Sequence, residues 1–325
     1  MSNFIDIEQF SLAQLMEFVE LAEYFRTIET RGIKYFKPIE KTVALIFLEN
    51  STRTRISFEI AAKRLGLNII GFDSEKSSLE KGESIKDTVL TLKALGLDAI
   101  ILRSSSVSTV NQVSSWVDLP IVNAGNATRS HPTQALGDFL TIREAISQGR
   151  FTSVGVETVD QVSKLKIAVV GDIIHSRVAR SLGELFEILG CQMYLVGPTE
   201  LLPVYDIGFK VSGISNDIND FVGEVDLIVA LRIQLERIHE PLLVDPISYR
   251  SVYGITRKLL DKAKDSTLVM HPGPQVRDLE IDSEVIDSNR SLILNQVRNS
   301  VYCRMSVLYK TMDLDFLLGD GVYGQ

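Results

Sequence analysis

Short apolar runs alternate along this chain with segments whose apolar residues recur at helical spacing, and that alternation limits the folds open to it. Val43-Ala44-Leu45-Ile46-Phe47 sits in a run over 42–47 that reads as a buried strand, and 56–65 reads as the helix behind it. An amphipathic helix over 11–28 precedes them. Strands follow at 68–71, 99–102 and 120–122, with helices at 84–97 and 132–147. A weaker helix is expected over 104–115, where Val107, Val110 and Val113 recur at spacing three. The alternation restarts with strands at 166–170, 192–196, 227–231 and 267–270, and with helices at 176–189, 257–263 and about 296–311. Strand and helix in turn predict an α/β fold of parallel sheets flanked by helices.

Residues 148–163 interrupt the pattern with Gly149, Gly155, polar side chains and no strong period, so a domain boundary is placed there. Two domains suit a chain of 325 residues, and a 45% hydrophobic content suffices for two cores. The domains read as 1–147 and 148–295, with a loose tail at 312–325. A formal charge of −8 argues against general affinity for nucleic acid or an anionic membrane. An anionic ligand would therefore need a local basic cluster. Cys191 and Cys303 form no Cys-x-x-Cys and no Cys/His metal spacing, which implies buried thiols in a reducing compartment and no metal. Early acids at Asp6, Glu8 and Glu17, and the lack of a run of membrane-spanning length, predict a soluble cytoplasmic protein.

The unusual polar clusters all fall at the carboxyl ends of the expected strands, where open α/β sheets bind ligands. Ser51-Thr52-Arg53-Thr54-Arg55 puts hydroxyls and guanidiniums at a helix start, with Ser51 or Thr52 as its N-cap. Unpaired amides, the helix dipole and arginine there make a phosphate site, each charge-assisted bond contributing roughly 1.5–3 kcal/mol. Arg103 ends another strand. His131-Pro132-Thr133-Gln134 opens a helix, which keeps the imidazole neutral and able to donate to a carbonyl, or simply caps the helix. Gly171 to Arg177 lacks the Gly-x-Gly-x-x-Gly of dinucleotide sites. Arg177 lies where the dipole disfavours a cation, so it serves a carboxylate ligand or pairs with Asp172 or Glu184. Arg232 and Gln234 alternate after a strand and could grip one carboxylate, while Glu236 and Arg237 could pair with each other. His271-Pro272-Gly273-Pro274 lacks two backbone donors and exposes carbonyls, or is a structural turn with a cis proline. Ser77 to Glu83 reads as a solvated loop.

Taken in order and spacing, these motifs, with His175-Ser176-Arg177 and Leu231-Arg232-Ile233-Gln234, resemble the catalytic chains of the aspartate carbamoyltransferase family over about residues 10–310. The resemblance implies that Ser51, Thr52, Arg53 and Thr54 hold the phosphate of carbamoyl phosphate, and that Thr54, Arg103 and His131 contact its carbonyl oxygen. Gln134 and the carbonyls of Gly273 and Pro274 would surround the carbamoyl and amino nitrogens. Arg177, Arg232 and Gln234 would bind the carboxylates of aspartate. Ser77 and Lys81 match loop residues that reach a neighbouring subunit's site, which implies a homotrimer; whether regulatory or dihydroorotase chains join it, the sequence leaves open. It also implies a C-terminal helix packed back on the first domain, and a reaction in pyrimidine biosynthesis with no cofactor, metal or covalent intermediate.

The family's pattern is departed from at Gln275-Val276-Arg277-Asp278, at Ser104 after Arg103, and in the long segment 148–163. An ornithine-specific relative would carry His-Pro-Cys-Gln and His-Cys-Leu-Pro, where Thr133 and Gly273 stand here. A non-catalytic relative would have lost a site Arg or His, and none is missing. The lack of Gly-x-Gly-x-x-Gly weakens a dehydrogenase reading.

Overall fold

The computed structural model describes residues 3–33, 36–73, 77–151, 159–234, 246–315 and 317. Two compact units emerge, Met1–Leu140 with Arg298–Gln325, and Thr141–Val297. The cuts fall inside the helices Pro132–Ser147 and Ile293–Thr311.

After a 3₁₀ turn over Ile7–Gln9, the first unit continues with α1 (Leu12–Thr30), opened by a capping box in which the Ser11 hydroxyl accepts the Gln14 amide at 3.3 Å and the Gln14 side chain accepts the Ser11 amide at 2.9 Å. Then come β1 (Thr42–Phe47), α2 (Thr52–Arg64), β2 (Asn68–Asp73), α3 (Ile85–Ala94), β3 (Ala99–Ser104), α4 (Thr109–Trp116), β4 (Ile121–Asn126) and α5 (Pro132–Ser147). The sheet is parallel in the order β2-β1-β3-β4. Its central strands read as unbroken apolar runs because helices cover both faces. Ile46, Ile100 and Leu102 pack with Val89 of α3 and with Val110 and Val113 of α4.

The second unit contains β5 (Lys166–Val170), α6 (Arg177–Leu189), β6 (Gln192–Val196), β7 (Gly213–Ser215), β8 (Leu227–Ala230), α7 (Pro246–Tyr253), α8 (Arg257–Leu260), β9 (Leu268–Met270) and α9 (Ser283–Ile286). Its sheet is also parallel, in the order β7-β6-β5-β8-β9. Val170, Ile228 and Val269 meet Tyr249, Leu260 and Val285 in its core.

The C-terminal helix, α10 (Ile293–Thr311), packs on helices of the first unit as expected. Cys303 Sγ donates to the Leu136 carbonyl of α5 at 3.4 Å, Tyr302 bonds Glu29 of α1, and the Arg304 guanidinium lies 5.0 Å from the Phe58 ring of α2.

Several expectations are corrected. The helix over 104–115 starts only at Thr109, because the Ser104 hydroxyl accepts the Ser106 amide at 3.0 Å and turns the chain first. A 3₁₀ turn, Ser78–Lys81, interrupts the expected loop. Strand β7 and helices α7 and α9 went unpredicted. Met312, Leu314 and Leu317 are buried, and Lys41 Nζ donates to the Met312 carbonyl, so the chain just beyond α10 is packed rather than loose. The Glu236–Arg237 pair lies outside the described residues. Among those described, no helix is long and apolar enough to cross a membrane.

Candidate active site

In the first sheet the chain leaves β1 toward β2 on one side and reaches β3 on the other, so the strand order reverses between β1 and β3. A crevice opens at such a point, beyond the carboxyl ends of the strands. Ser51 is the N-cap of α2, and the first helical bond runs from the Arg55 amide to the Ser51 carbonyl at 3.1 Å. The amides of Thr52, Arg53 and Thr54 therefore precede the helical ladder. Ser51 is the N-cap, as expected, but its hydroxyl makes no capping bond to the helix. Thr52 and Arg53 are exposed, and Arg53 has no ion pair among the described residues.

Thr54 is buried and its Oγ1 lies 3.5 Å from His131 Nε2. Arg103 pairs in register with Phe47 at the end of β1 and is also buried. Its Nη1 donates to the Ala124 carbonyl at 3.1 Å, and its Nη2 stands 3.5 Å from Glu49 Oε1. His131 immediately precedes α5, where its carbonyl accepts the Gln134 amide at 3.0 Å. A buried polar turn fixes that approach: Ser130 N donates to Asn126 Oδ1 and Asn123 Nδ2 to Ser130 Oγ, both at 2.9 Å. Gln134 Nε2 donates to Asp138 Oδ1 at 2.9 Å. Ser77 starts the 3₁₀ turn, its hydroxyl accepting the Leu79 amide at 3.3 Å, and Lys81 is exposed at the other end. The first unit thus gathers hydroxyls, amides, guanidiniums and an imidazole at one strand-order reversal, a setting suited to a phosphate beside a carbonyl.

In the second sheet the order reverses between β5 and β8, and the second cluster lies beyond those strands. Gly171 must be glycine, with φ of 126° and an added Cβ standing 2.7 Å from the Leu231 carbonyl oxygen. Asp172 is fully buried; its Oδ1 accepts the His175 amide at 3.2 Å and contacts His175 Nδ1 at 2.9 Å, while its Oδ2 accepts the Gln234 amide at 3.1 Å. Arg177 opens α6 and is buried, behind the Ser176 cap. Arg232 and Gln234 are half-buried between the buried Leu231 and Ile233, so they share a side even though β8 ends at Ala230. One N–H of Gln234 Nε2 goes to the His175 carbonyl at 3.0 Å, which leaves the other for a carboxylate.

The His271–Pro274 turn contains a cis Gly273–Pro274 peptide, and His271 Nδ1 accepts the Gly273 amide at 2.9 Å. Glu280 holds the next stretch, its Oε2 accepting the Val276 amide at 2.8 Å. Burial raises the Glu280 carboxyl above its ordinary range, opposed by backbone amides, Ile233's included, and by Arg232. Asn123, Asp138 and Glu280 escaped sequence reading, and Asp172 was read only as a partner for Arg177; the helical i,i+4 spacing of Gln134 and Asp138 was the one available signal. Among the described residues no group of three or more His, Cys, Asp or Glu is placed to hold a metal ion.

Two family models match, the aspartate/ornithine carbamoyltransferase carbamoyl-P binding domain over residues 2–144 and the Asp/Orn binding domain over 163–311. The chain belongs to the aspartate/ornithine carbamoyltransferase family. Within it, the chain is 40% identical over 306 residues to the aspartate carbamoyltransferase catalytic subunit of Thermobifida fusca, covering 94% of this chain and 91% of that one. The fold superposes on the Trypanosoma cruzi aspartate transcarbamoylase in complex with carbamoyl phosphate with a TM-score of 0.83, 27% identity and 95% of each chain covered. It also superposes on the ornithine carbamoyltransferase of Pyrococcus furiosus, with a TM-score of 0.78, 25% identity and 94% and 96% coverage. Overall likeness of fold therefore does not choose the amino acid, and the residues must.

Proposed function

We propose that this chain transfers the carbamoyl group of carbamoyl phosphate to the amino group of L-aspartate, giving N-carbamoyl-L-aspartate and phosphate, a step of pyrimidine biosynthesis. The observation that carries this reading is the meeting of the free α2 start with Thr54, His131 and Arg103 at the β1–β3 reversal. Ser51, Thr52, Arg53 and Thr54 hold the phosphate. Thr54, Arg103 and His131 polarise the carbonyl, and Gln134 with the Gly273 and Pro274 carbonyls receives the N–H groups. Arg177, Arg232 and Gln234 bind the aspartate carboxylates. Ornithine has a single carboxylate and gives that set of donors too little to hold.

The amine lone pair attacks the carbonyl carbon, and the carbonyl π electrons move to oxygen. Collapse of the tetrahedral intermediate breaks the bond to phosphate, which leaves with its electron pair and takes up the amine proton. Positioning two bound substrates can contribute roughly 7–11 kcal/mol, and each donor aimed at the oxyanion about 2.7–4 kcal/mol.

Exposed Ile56 and Ile60 on α2, together with exposed Ile70 on the edge strand β2, support a homotrimer in which Ser77 and Lys81 serve a neighbouring subunit. Purified protein should release phosphate from carbamoyl phosphate in the presence of aspartate, at a native mass of three chains. Arg53→Ala and Arg103→Ala should each lower turnover by about two orders of magnitude or more. Near-normal turnover in either variant contradicts the role given to that arginine.

A further inference from the structure

We propose that Asp138 is a positioning residue that orients the Gln134 amide so that its oxygen is presented to the carbamoyl nitrogen. The inference rests on the reading above, in which Gln134 meets that nitrogen. Asp138 lies one helical turn beyond Gln134 on α5, its residue is 0% exposed, and its Oδ1 accepts Gln134 Nε2 at 2.9 Å. A carboxylate offers only acceptors, so of the two ends of the amide only the NH₂ can face it. Gln134 Oε1 accepts no bond among the described residues and is the end left over. A carbamoyl NH₂ has only donors to offer, and an amide turned the other way would set N–H against N–H. The two amide orientations are nearly equal in shape, so shape alone does not select the productive one; the acceptor oxygen of Asp138 does.

The interior around Asp138 also holds a cationic side chain. Arg304 of α10 is buried at 3% exposure with its guanidinium 5.0 Å from the Phe58 ring of α2. Burial lowers the Arg304 guanidinium to about 10, opposed by Cys303 and Asp138, and at that value it is cationic at neutral pH. A buried cation thus shares the α2–α5–α10 interior with the buried carboxylate.

A double-variant cycle tests this, reading kcat, KM for carbamoyl phosphate, thermal stability and the affinity for inorganic phosphate. Asp138→Asn should lower kcat/KM for carbamoyl phosphate about 10-fold or more, since it frees the amide to turn. Phosphate affinity should stay within about twofold of wild type, because phosphate does not use the amide. Adding Asp138→Asn to Gln134→Ala should cause no further loss. The polarity swap, Gln134→Glu with Asp138→Asn, should recover activity at least about tenfold over Gln134→Glu alone, since Asn can donate to the new carboxylate; this reads the coupling even where Asp138→Asn alone fails to fold. Additive losses in the cycle, or no recovery in the swap, overturn the inference while an active wild type leaves the functional reading standing. A wild type that does not carbamoylate aspartate overturns both.

Discussion

Asp172 shows how a single residue braces the proposed amino-acid half of the site. One fully buried carboxylate ties down both the corner after β5, through His175, and the segment after β8, through the Gln234 amide. Asp172→Asn places an NH₂ against those N–H groups and leaves at least one donor without its acceptor. KM for aspartate should rise about tenfold or more, while KM for carbamoyl phosphate stays within about twofold, as steady-state kinetics with each substrate varied will check. An equal defect toward carbamoyl phosphate would contradict this division of labour. The sequence made Arg177, Arg232 and Gln234 visible, because arginines and amides beyond strands are unusual. It could not reveal Asp172 as the anchor of the Gln234 backbone, since that bond joins residues 62 apart in the chain. The same limit hid Glu280, which looks like an ordinary surface acid until its burial and its bond to the Val276 amide are known.

The elements that carry the first half of the site are locked by close helix packing. Gly137 of α5 faces Ser300 of α10, where an added Cβ would stand 2.7 Å from Ser300 Oγ and 3.2 Å from its Cα. Gly137→Ala should therefore destabilise the protein by about 1–3 kcal/mol through overpacking, despite the better helix propensity of alanine. Thermal or urea unfolding will measure it, and a stabilised variant would contradict the close approach. Long elements of strong period were legible in the sequence: α1, β1, α2, β3, α5, β5 and α6 all stand where their apolar spacing put them. Short ones were not. Strand β7 has three residues and leaves Ile214 exposed, so it carries no apolar run, and the Ser78–Lys81 turn is held by the Ser77 hydroxyl rather than by burial. The free hydroxyl of Ser51 was also invisible, because sequence identifies a capping residue but not whether its side chain bonds the helix.

On the scale of the whole molecule, both units repeat one physical solution. Each is a parallel sheet whose strand order reverses once near its middle, and the proposed site residues of each follow the carboxyl ends of its strands. The alternation of strands and helices announced the sheets, but strand order is a long-range property, and only the folded chain reveals why Ser51–Arg55 and Arg103, or Asp172 and Arg232, become neighbours within their unit. Family membership follows from the matched models and relatives, and the proposed grip on aspartate rests on the second unit's donors. The measurement that bears on this most directly is a competition assay. Wild-type protein is given carbamoyl phosphate with aspartate and ornithine at equal concentration, and the products are identified by mass. N-carbamoyl-L-aspartate with no carbamoylated ornithine is the expected result. Carbamoylated ornithine as the main product would contradict the assignment of Arg177, Arg232 and Gln234, and no product from either amino acid would contradict the catalytic reading itself.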